Sequence, residues 1–364
     1  VATLFVIPMV VATLFASIKM AAFFSIFQFA QILLLYIALS QELSRPGAIA
    51  SLLKGLALGL MIQAGFVIQQ KLTGVVQATG TLIHQNILGL MVQLSAIPLL
   101  AAVLEGQKNK LIYGGIIAGC ICIAGGGSRA SVAFFALAVL LTLLLSVMRR
   151  PTPRKWKVIG ASIVLSMVFV PLAVGTLQDR FGTLEFGAED ESRDAFERAA
   201  AAIAADHPMG VGPNNFVSVN NSEGYAVRAG IAWGGGLLDK PAHNAYILAR
   251  AETGWAGQAT LVLLIVVIGF AAYRAAFVER KSPTIGVSVG AAAGITTVAL
   301  HSNYEFAWYL AEVQRLFFVN AALVAACLAV SAEARRRDRS ARGAAVAGLA
   351  PAKPIARRAS AIES

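Results

Sequence analysis

Long apolar runs separated by short polar segments dominate the chain. Ten of them approach the roughly 20 residues that a helix needs to cross a hydrocarbon core. They carry apolar residues on every side and do not alternate, which favours helices over the strands of a membrane barrel. Because the numbering opens on Val1 inside such a run, we expect ten to be a minimum. The predicted spans are residues 1–18, 21–39, 52–69, 86–104, 111–125, 130–148, 157–177, 246–278, 284–300 and 312–331.

Composition agrees with this pattern. Hydrophobic residues make up 57% of the chain and charged residues only 13%, and a soluble domain could not cover its surface with so few charges. The sequence therefore predicts an all-α polytopic membrane protein. We expect N-terminal transmembrane helices over 1–177, a polar loop region over 178–245, C-terminal transmembrane helices over 246–331, and a disordered basic tail over 332–364.

The net charge of +11 follows the predicted topology. When the spans alternate in direction, most of the 30 Lys and Arg residues fall on one side, which the positive-inside tendency makes cytoplasmic. This placement accounts for the charge without nucleic acid as a partner. For the basic tail, the simpler interpretation is that its charges help to set the membrane topology. Binding of anionic membrane lipids is the alternative.

The same alternation brings the unusual polar clusters together on the opposite face. A random scatter of polar residues would not sort in this way, so we expect a functional site on the extracytoplasmic side. The clusters are residues 80–86, Ser128 and Arg129, Arg193, His243 and Asn244, and residues 301–305.

Arg129 lies in a glycine-rich turn between two predicted spans. A charge at this depth is costly unless it is paired or reaches water, and intramembrane charge commonly marks a functional site. The alternative is that the Arg129 side chain extends to the membrane–water interface and anchors a short turn there.

Arg193 follows Ser192, which we predict as the N-cap of a helix of about 13 residues that Pro208 ends. Free backbone N–H groups beside a guanidinium would suit a phosphate. The alternative pairs Arg193 with nearby carboxylates on a solvated face. Further along, the turn 210–215 either shapes a pocket or only connects.

His243 lies where the polar loop meets the next apolar run. An imidazole at a membrane boundary could take a proton from a hydroxyl nucleophile; the alternative is a structural histidine. We find no group of residues with metal-ligand spacing and no serine-nucleophile motif, so we expect neither a metal nor a cofactor.

The chain resembles the O-antigen ligase and polymerase superfamily, whose members are membrane glycosyltransferases. The resemblance spans about residues 75–330 and rests on four segments in order around one large loop. They are Thr79-Gly80-Thr81 with His84 and Asn86, Gly127-Ser128-Arg129-Ala130, the run from His207 to Phe216, and His243-Asn244-Ala245-Tyr246 continuing to Glu252-Thr253-Gly254-Trp255-Ala256-Gly257.

This resemblance implies a fold like that of the class C glycosyltransferases in the bacterial inner membrane, with a large periplasmic loop. It implies a glycan donor on undecaprenyl pyrophosphate and an inverting, metal-independent transfer. Arg129 and Arg193 would hold the donor pyrophosphate, and His243 would orient or deprotonate the acceptor hydroxyl. The predicted substrate-binding residues are His84, Asn86, Asn215, Asn244, Glu252 and Arg315; Arg315 and Glu305 are the weaker candidates for this pocket.

The acceptor stays open at this stage. A ligase that uses lipid A core ranks first, a polymerase that extends a growing glycan ranks second, and a protein-directed enzyme ranks third. A transporter or flippase of lipid-linked glycans is the non-enzyme alternative. It would normally place its site near the midplane, between inverted repeats.

Overall fold

The computed structural model describes residues 2–183, 188–231, 239–278 and 282–346. These residues form helices joined by turns, with no β-strand in the described ranges. The helices are α1 (Ala2–Leu14), α2 (Lys19–Glu42), α3 (Ala48–Leu72), α4 (Gln85–Leu104), α5 (Lys110–Gly126), α6 (Arg129–Arg149), α7 (Pro153–Thr183), α8 (Ala188–Asp206), α9 (Phe216–Ser222), α10 (Tyr225–Arg228), α11 (Ala245–Val278), α12 (Pro283–Gly286), α13 (Ser288–His301) and α14 (Ala311–Val346), with a 3₁₀ turn at Ala307–Tyr309.

The polytopic helical fold predicted from the sequence is confirmed. Within the described residues, eight helices are long and apolar enough to cross a membrane: α2, α3, α4, α6, α7, α11, the α12–α13 segment and α14. Helices α1 and α5 are apolar but shorter, at 13 and 17 residues. Large apolar side chains such as Phe24, Leu34, Met167 and Phe270 are exposed, as expected where lipid is the solvent.

Helix α4 is the centre of the bundle and is almost wholly buried. Small residues on its neighbours permit close approach, because each lacks a side chain that would hold the helices apart. A Cβ atom on Gly290 of α13 would lie 2.6 Å from the carbonyl oxygen of Ile97, and one on Gly119 of α5 would lie 2.9 Å from Ala96 Cβ. Asn320 of α14 donates to the Leu94 carbonyl at 2.9 Å.

One end of the bundle, the basic end, is held by a buried carboxylate. Glu105 follows α4, and its oxygens lie 2.9 Å from Arg149 Nη1 and 2.9 Å from Lys155 Nζ. Arg149 also donates to the carbonyls of Ala276 and Ser282, each at 2.7 Å. Because opposite charges and carbonyls surround each buried ion, the cluster fastens α4, α6, α7 and α11 at this end.

The opposite end carries the segment between α3 and α4, the start of α6, the start of α14 and the segment from α8 to α10. This last segment has its own apolar core, in which one face of α8 packs on α9, α10 and the start of α11. Its buried members include Phe196, Ile203, Phe216, Val219 and Leu248. The predicted sorting of polar clusters to one end is thus seen in the fold.

Two predicted boundaries are wrong. Helix α8 begins at Ala188, not after Ser192, so Arg193 lies in its second turn and not at its N-terminus. Helix α14 continues through part of the predicted disordered tail to Val346, because its Ala- and Arg-rich sequence has high helix propensity. The rest of that tail, 347–364, lies outside the described residues.

Candidate functional site

A buried carboxylate organises the polar end of the bundle. The Glu305 side chain is only 1% exposed, and it receives three polar partners from distant parts of the chain. Asn86 donates to Oε1, Arg193 Nη2 lies 3.4 Å from Oε1, and His243 Nδ1 lies 3.4 Å from Oε2. A buried carboxylate requires such partners, since its desolvation is otherwise unfavourable.

The start of α4 supplies the amide of this cluster. His84 is the N-cap residue, and its Nδ1 accepts from the Asn86 backbone N–H at 3.2 Å. An N-cap side chain that meets the second helical N–H fixes the direction in which the chain enters the helix. Asn86 is therefore held on the inner side, where it is 5% exposed, whereas His84 is half-buried at the rim.

Helix α8 supplies Arg193, whose side chain is 29% exposed. The neighbouring Phe196 is buried in the apolar core of the loop region, which holds this face of α8 towards Glu305. The predicted N-terminal anion site at Arg193 is wrong, because the helix begins five residues earlier. Among the described contacts, the carboxylate that meets Arg193 is Glu305, on the α13–α14 connection. Two acids of the predicted local pair, Glu189 and Asp190, have side chains that lie outside the described part of the chain.

The turn before α11 supplies His243. Asn244 caps the helix by accepting from the backbone N–H groups of Tyr246 at 3.0 Å and Ile247 at 3.2 Å. The Ala245 N–H donates to the Ser302 carbonyl at 2.9 Å. This bond ties the turn to the end of α13, so His243 lies beside the Glu305 segment.

The His243 ring is enclosed by aromatic side chains. Its centroid is 5.6 Å from that of Phe306 and 6.3 Å from that of Phe196, both edge to face, and the side chain is 15% exposed. Packing on two sides and a carboxylate at Nδ1 restrict the ring orientation. If Nδ1 donates to Glu305, Nε2 is the ring atom that accepts a proton.

Arg129 begins α6 at the same end and is exposed. Ser128 caps this helix through the Ser131 N–H. A Cβ on Gly89 would lie 1.9 Å from Ser131 Oγ, so the first turn of α6 packs directly on the second turn of α4. Arg129 thus stands near the Asn86 end of α4 with its side chain directed outward from the core.

Asn215 and Glu252 lie in a different arrangement, where the loop docks on α11. Backbone N–H groups of Val211 and Gly212 donate to the carbonyls of Ala251 and Glu252 at 3.1 and 2.8 Å. Those carbonyls are available because α11 is interrupted at Gly254, which has φ 69° and ψ −176°. The turn over residues 210–215 therefore packs the loop region on α11.

The side chains of both residues serve that docking. Glu252 is 5% exposed and accepts from the Phe216 N–H at 3.2 Å. Asn215 is fully buried; its Oδ1 accepts from Ile18 N at 2.8 Å and Ser17 Oγ at 3.1 Å, and its Nδ2 donates to Pro213 O at 2.9 Å. Asn215 thus forms a tether between the loop and the α1–α2 turn, and its role as a substrate ligand stays a prediction.

His301 was not among the predicted site residues, although it belongs to a polar cluster noted in the sequence. It is fully buried at the end of α13, with Nδ1 3.0 Å from Gln93 Nε2 and its ring stacked on Phe134 at 4.9 Å between centroids. Its Nε2 has no hydrogen-bond partner among the described residues. The signal in the sequence was the run His301-Ser302-Asn303-Tyr304-Glu305 between two apolar spans.

Arg315 lies in the second turn of α14, at the same end, and is exposed. Together with Arg129 and the partly exposed Arg193, it places accessible positive charge at the end of the bundle that also holds Glu305 and His243. Such an end would attract an anionic ligand and could transfer a proton beside it.

Comparison with known proteins identifies a family. Residues 114–262 match the family described as O-antigen ligase, which confirms the resemblance drawn from the sequence. The matched segment contains Arg129, Arg193 and His243; Asn86 and Glu305 lie outside it. No curated protein matches the chain.

Proposed function

We propose that this member of the O-antigen ligase family moves a glycan from undecaprenyl pyrophosphate to an acceptor hydroxyl, with its active face in the periplasm of a bacterial inner membrane. The family consists of glycosyltransferase-like membrane enzymes. The observation that carries the proposal is the buried Glu305 carboxylate, which gathers Asn86, Arg193 and His243 at one end of the bundle.

Arg193 would bind the pyrophosphate of the donor. Its guanidinium uses Nη2 towards Glu305, and because the side chain is partly exposed, other N–H groups can meet an anion. Negative charge grows on the pyrophosphate as the sugar leaves, so a fixed guanidinium stabilises the transition state more than the ground state. Arg129 would supply a second positive charge to the same group.

His243 would act as the general base. With Nδ1–H donating to Glu305, Nε2 takes the proton of the acceptor hydroxyl while its oxygen forms a bond to the anomeric carbon. The bond from that carbon to the pyrophosphate oxygen breaks, and the electron pair leaves with the lipid pyrophosphate. A single displacement from the opposite face inverts the anomeric centre. Glu305 stabilises the imidazolium that forms, and it keeps the ring in the required tautomer.

The remaining rim residues would contact substrate. His84, Asn244 and Arg315 lie at the polar end with half-buried or exposed side chains, whereas Asn86 would mainly hold Glu305. Glu252 would fix the position of the loop that forms one wall of the site.

The acceptor separates the members of this superfamily. We rank lipid A core first, which makes the protein a ligase. A growing glycan, which would make it a repeat-unit polymerase, ranks second. Transport of lipid-linked glycans is the non-enzyme alternative. The ionisable side chains of the candidate site lie at one end of the bundle and not around its midplane, which favours transfer over transport.

The test is glycan transfer by the purified protein in lipid, with an undecaprenyl pyrophosphate-linked glycan as donor and lipid A core as acceptor. Glycan on lipid A core supports a ligase, and longer chains on undecaprenyl pyrophosphate support a polymerase. Loss of either product in Arg129→Ala would support its role at the pyrophosphate. Donor moved intact across the bilayer without any product would contradict the proposal and favour transport.

A further inference from the structure

A basic cavity lies at the end of the bundle opposite the Glu305 site, between the end of α11 and residues 328–339 of α14. Its volume is about 380 Å³, and four arginines line it. No carboxylate is among the described residues that line it. The lining consists of Arg274, Val278, Leu328, Ser331, Ala332, Arg335, Arg336 and Arg339.

The residues of α14 that line the cavity form one stripe of the helix. Residues 328, 331, 332, 335 and 339 recur at spacings of three and four, which places them on one face. Arg335 Nη2 donates to the Val278 carbonyl at 2.6 Å and so fixes this face of α14 to the end of α11. The four guanidinium groups are brought together by the packing of two helices, not by one run of charge.

A buried hydroxyl without a partner among the described residues borders the cavity. Ser331 is 2% exposed, and its hydroxyl oxygen has no hydrogen-bond partner among the described residues. A buried hydroxyl normally meets a donor or acceptor, and an unmatched one indicates a missing ligand or water. At a site lined by arginines, an oxyanion would accept from this hydroxyl.

The position of the cavity relative to the membrane points to the source of that anion. The candidate span of α11 ends at Val278, and the apolar sequence of α14 ends at Ala332, just before Glu333 and the arginines. The cavity therefore lies where two spans end, with Val278, Leu328 and Ala332 on its apolar side. This combination fits a phospholipid, whose phosphate would meet the arginines while the start of its acyl chains lies against the apolar residues.

We infer that this cavity binds the phosphate of an anionic phospholipid in the leaflet at the basic end. The site is separate from the Glu305 cluster and does not depend on the proposed transfer reaction. It would hold the α11–α14 contact together at that membrane surface.

The test is lipid binding to the purified full-length chain, counted by native mass spectrometry during titration with phosphatidylglycerol, phosphatidylcholine or inorganic phosphate. We expect one phosphatidylglycerol to bind more tightly than phosphatidylcholine. Arg336→Gln combined with Arg339→Gln should weaken it roughly 25-fold, about fivefold for each charge removed. Ser331→Ala should weaken binding without changing the net charge.

Arg337→Gln is the matched control. Arg337 lies on the opposite face of α14, pairs with Glu333 and is exposed, and it should leave binding unchanged. Equal affinity for phosphatidylcholine, or an equal loss in Arg337→Gln and in the cavity variants, would overturn the inference. Inorganic phosphate that binds as tightly as the lipid would overturn the lipid as its source.

Discussion

His243 Nδ1 lies 3.4 Å from Oε2 of Glu305, a carboxylate with 1% side-chain exposure. The two residues are 62 positions apart in the chain, and the bond between Ala245 N–H and the Ser302 carbonyl holds their segments together. A buried acid at one ring nitrogen leaves the other nitrogen for a substrate proton. The mechanism proposed above rests on this relationship.

Replacing His243 with Gln should remove the general base while keeping a polar side chain of similar reach. We expect the rate of glycan transfer to fall about 10²- to 10⁴-fold, with the yield of membrane-inserted protein unchanged. His207→Gln is the matched control, because His207 is partly exposed and pairs at 3.2 Å with Glu223 on the loop surface. A similar loss of rate in both variants would contradict the role of His243.

Replacing Arg193 with Ala should slow transfer about 10²- to 10³-fold, as expected when a fixed group that stabilises leaving-group charge is removed. Arg193→Lys should recover only part of the rate. A lysine ammonium lacks the planar, bidentate geometry with which a guanidinium can donate to Glu305 and to a phosphate at once. Arg198→Ala removes one charge from the same helix at an exposed position and should transfer normally. Single-turnover kinetics with saturating donor would measure the difference.

Gly254→Ala should destabilise the docking of the loop on α11. The new Cβ would lie 2.5 Å from the Pro208 carbonyl oxygen, in a residue with φ +69°, so both strain and a backbone clash oppose it. We expect a loss of about 2–4 kcal/mol in unfolding free energy. Gly230 has φ +80°, but a Cβ added there would have no atom within 4 Å. We therefore expect Gly230→Ala to lose only about 1 kcal/mol of unfolding free energy. Thermal unfolding in detergent would compare the two variants. Equal losses of stability would contradict the close packing of Gly254 on Pro208.

Glu105→Gln should weaken the basic end of the bundle. It leaves Arg149 and Lys155, both nearly fully buried, without their counter-charge, and breaking a buried pair in this way costs about 3–5 kcal/mol. Glu42→Gln is the control, since Glu42 pairs with Arg45 on an exposed surface where such pairs contribute about 0–1 kcal/mol. Unfolding temperatures of both variants would test this, and a stable Glu105→Gln protein would contradict it.

The helices could be predicted from the sequence because their signal is local. Apolar length alone locates spans such as α4 and α6, and the alternation of charge between successive loops assigns Arg129 and Arg149 to opposite ends of the bundle. The ends of helices are harder to predict than the spans themselves, because a polar sequence can also form a helix. The start of α8 is a strongly acidic sequence, and the extension of α14 to Val346 is rich in Ala and Arg; neither segment carries the apolar signal of a span.

The candidate site could be predicted only in part, because its contacts are long-range. Arg193 and His243 were selected by residue type and position. However, nothing in the sequence near Glu305 indicates that three distant side chains converge on it, so the sequence alone makes it only a weak candidate for the site. Asn215 shows the same limit: its contact with Ile18, nearly two hundred residues away, has no local signal in the sequence.

The role of Glu305 is the central claim, and its direct test is glycan transfer by Glu305→Gln. The purified variant would be assayed in lipid beside wild type and Glu312→Gln, which removes an exposed carboxylate from the first turn of α14. We expect Glu305→Gln to transfer at least about 100-fold more slowly, with Glu312→Gln equal to wild type and all three proteins equally well inserted. Transfer by Glu305→Gln at the wild-type rate would contradict the account of this site.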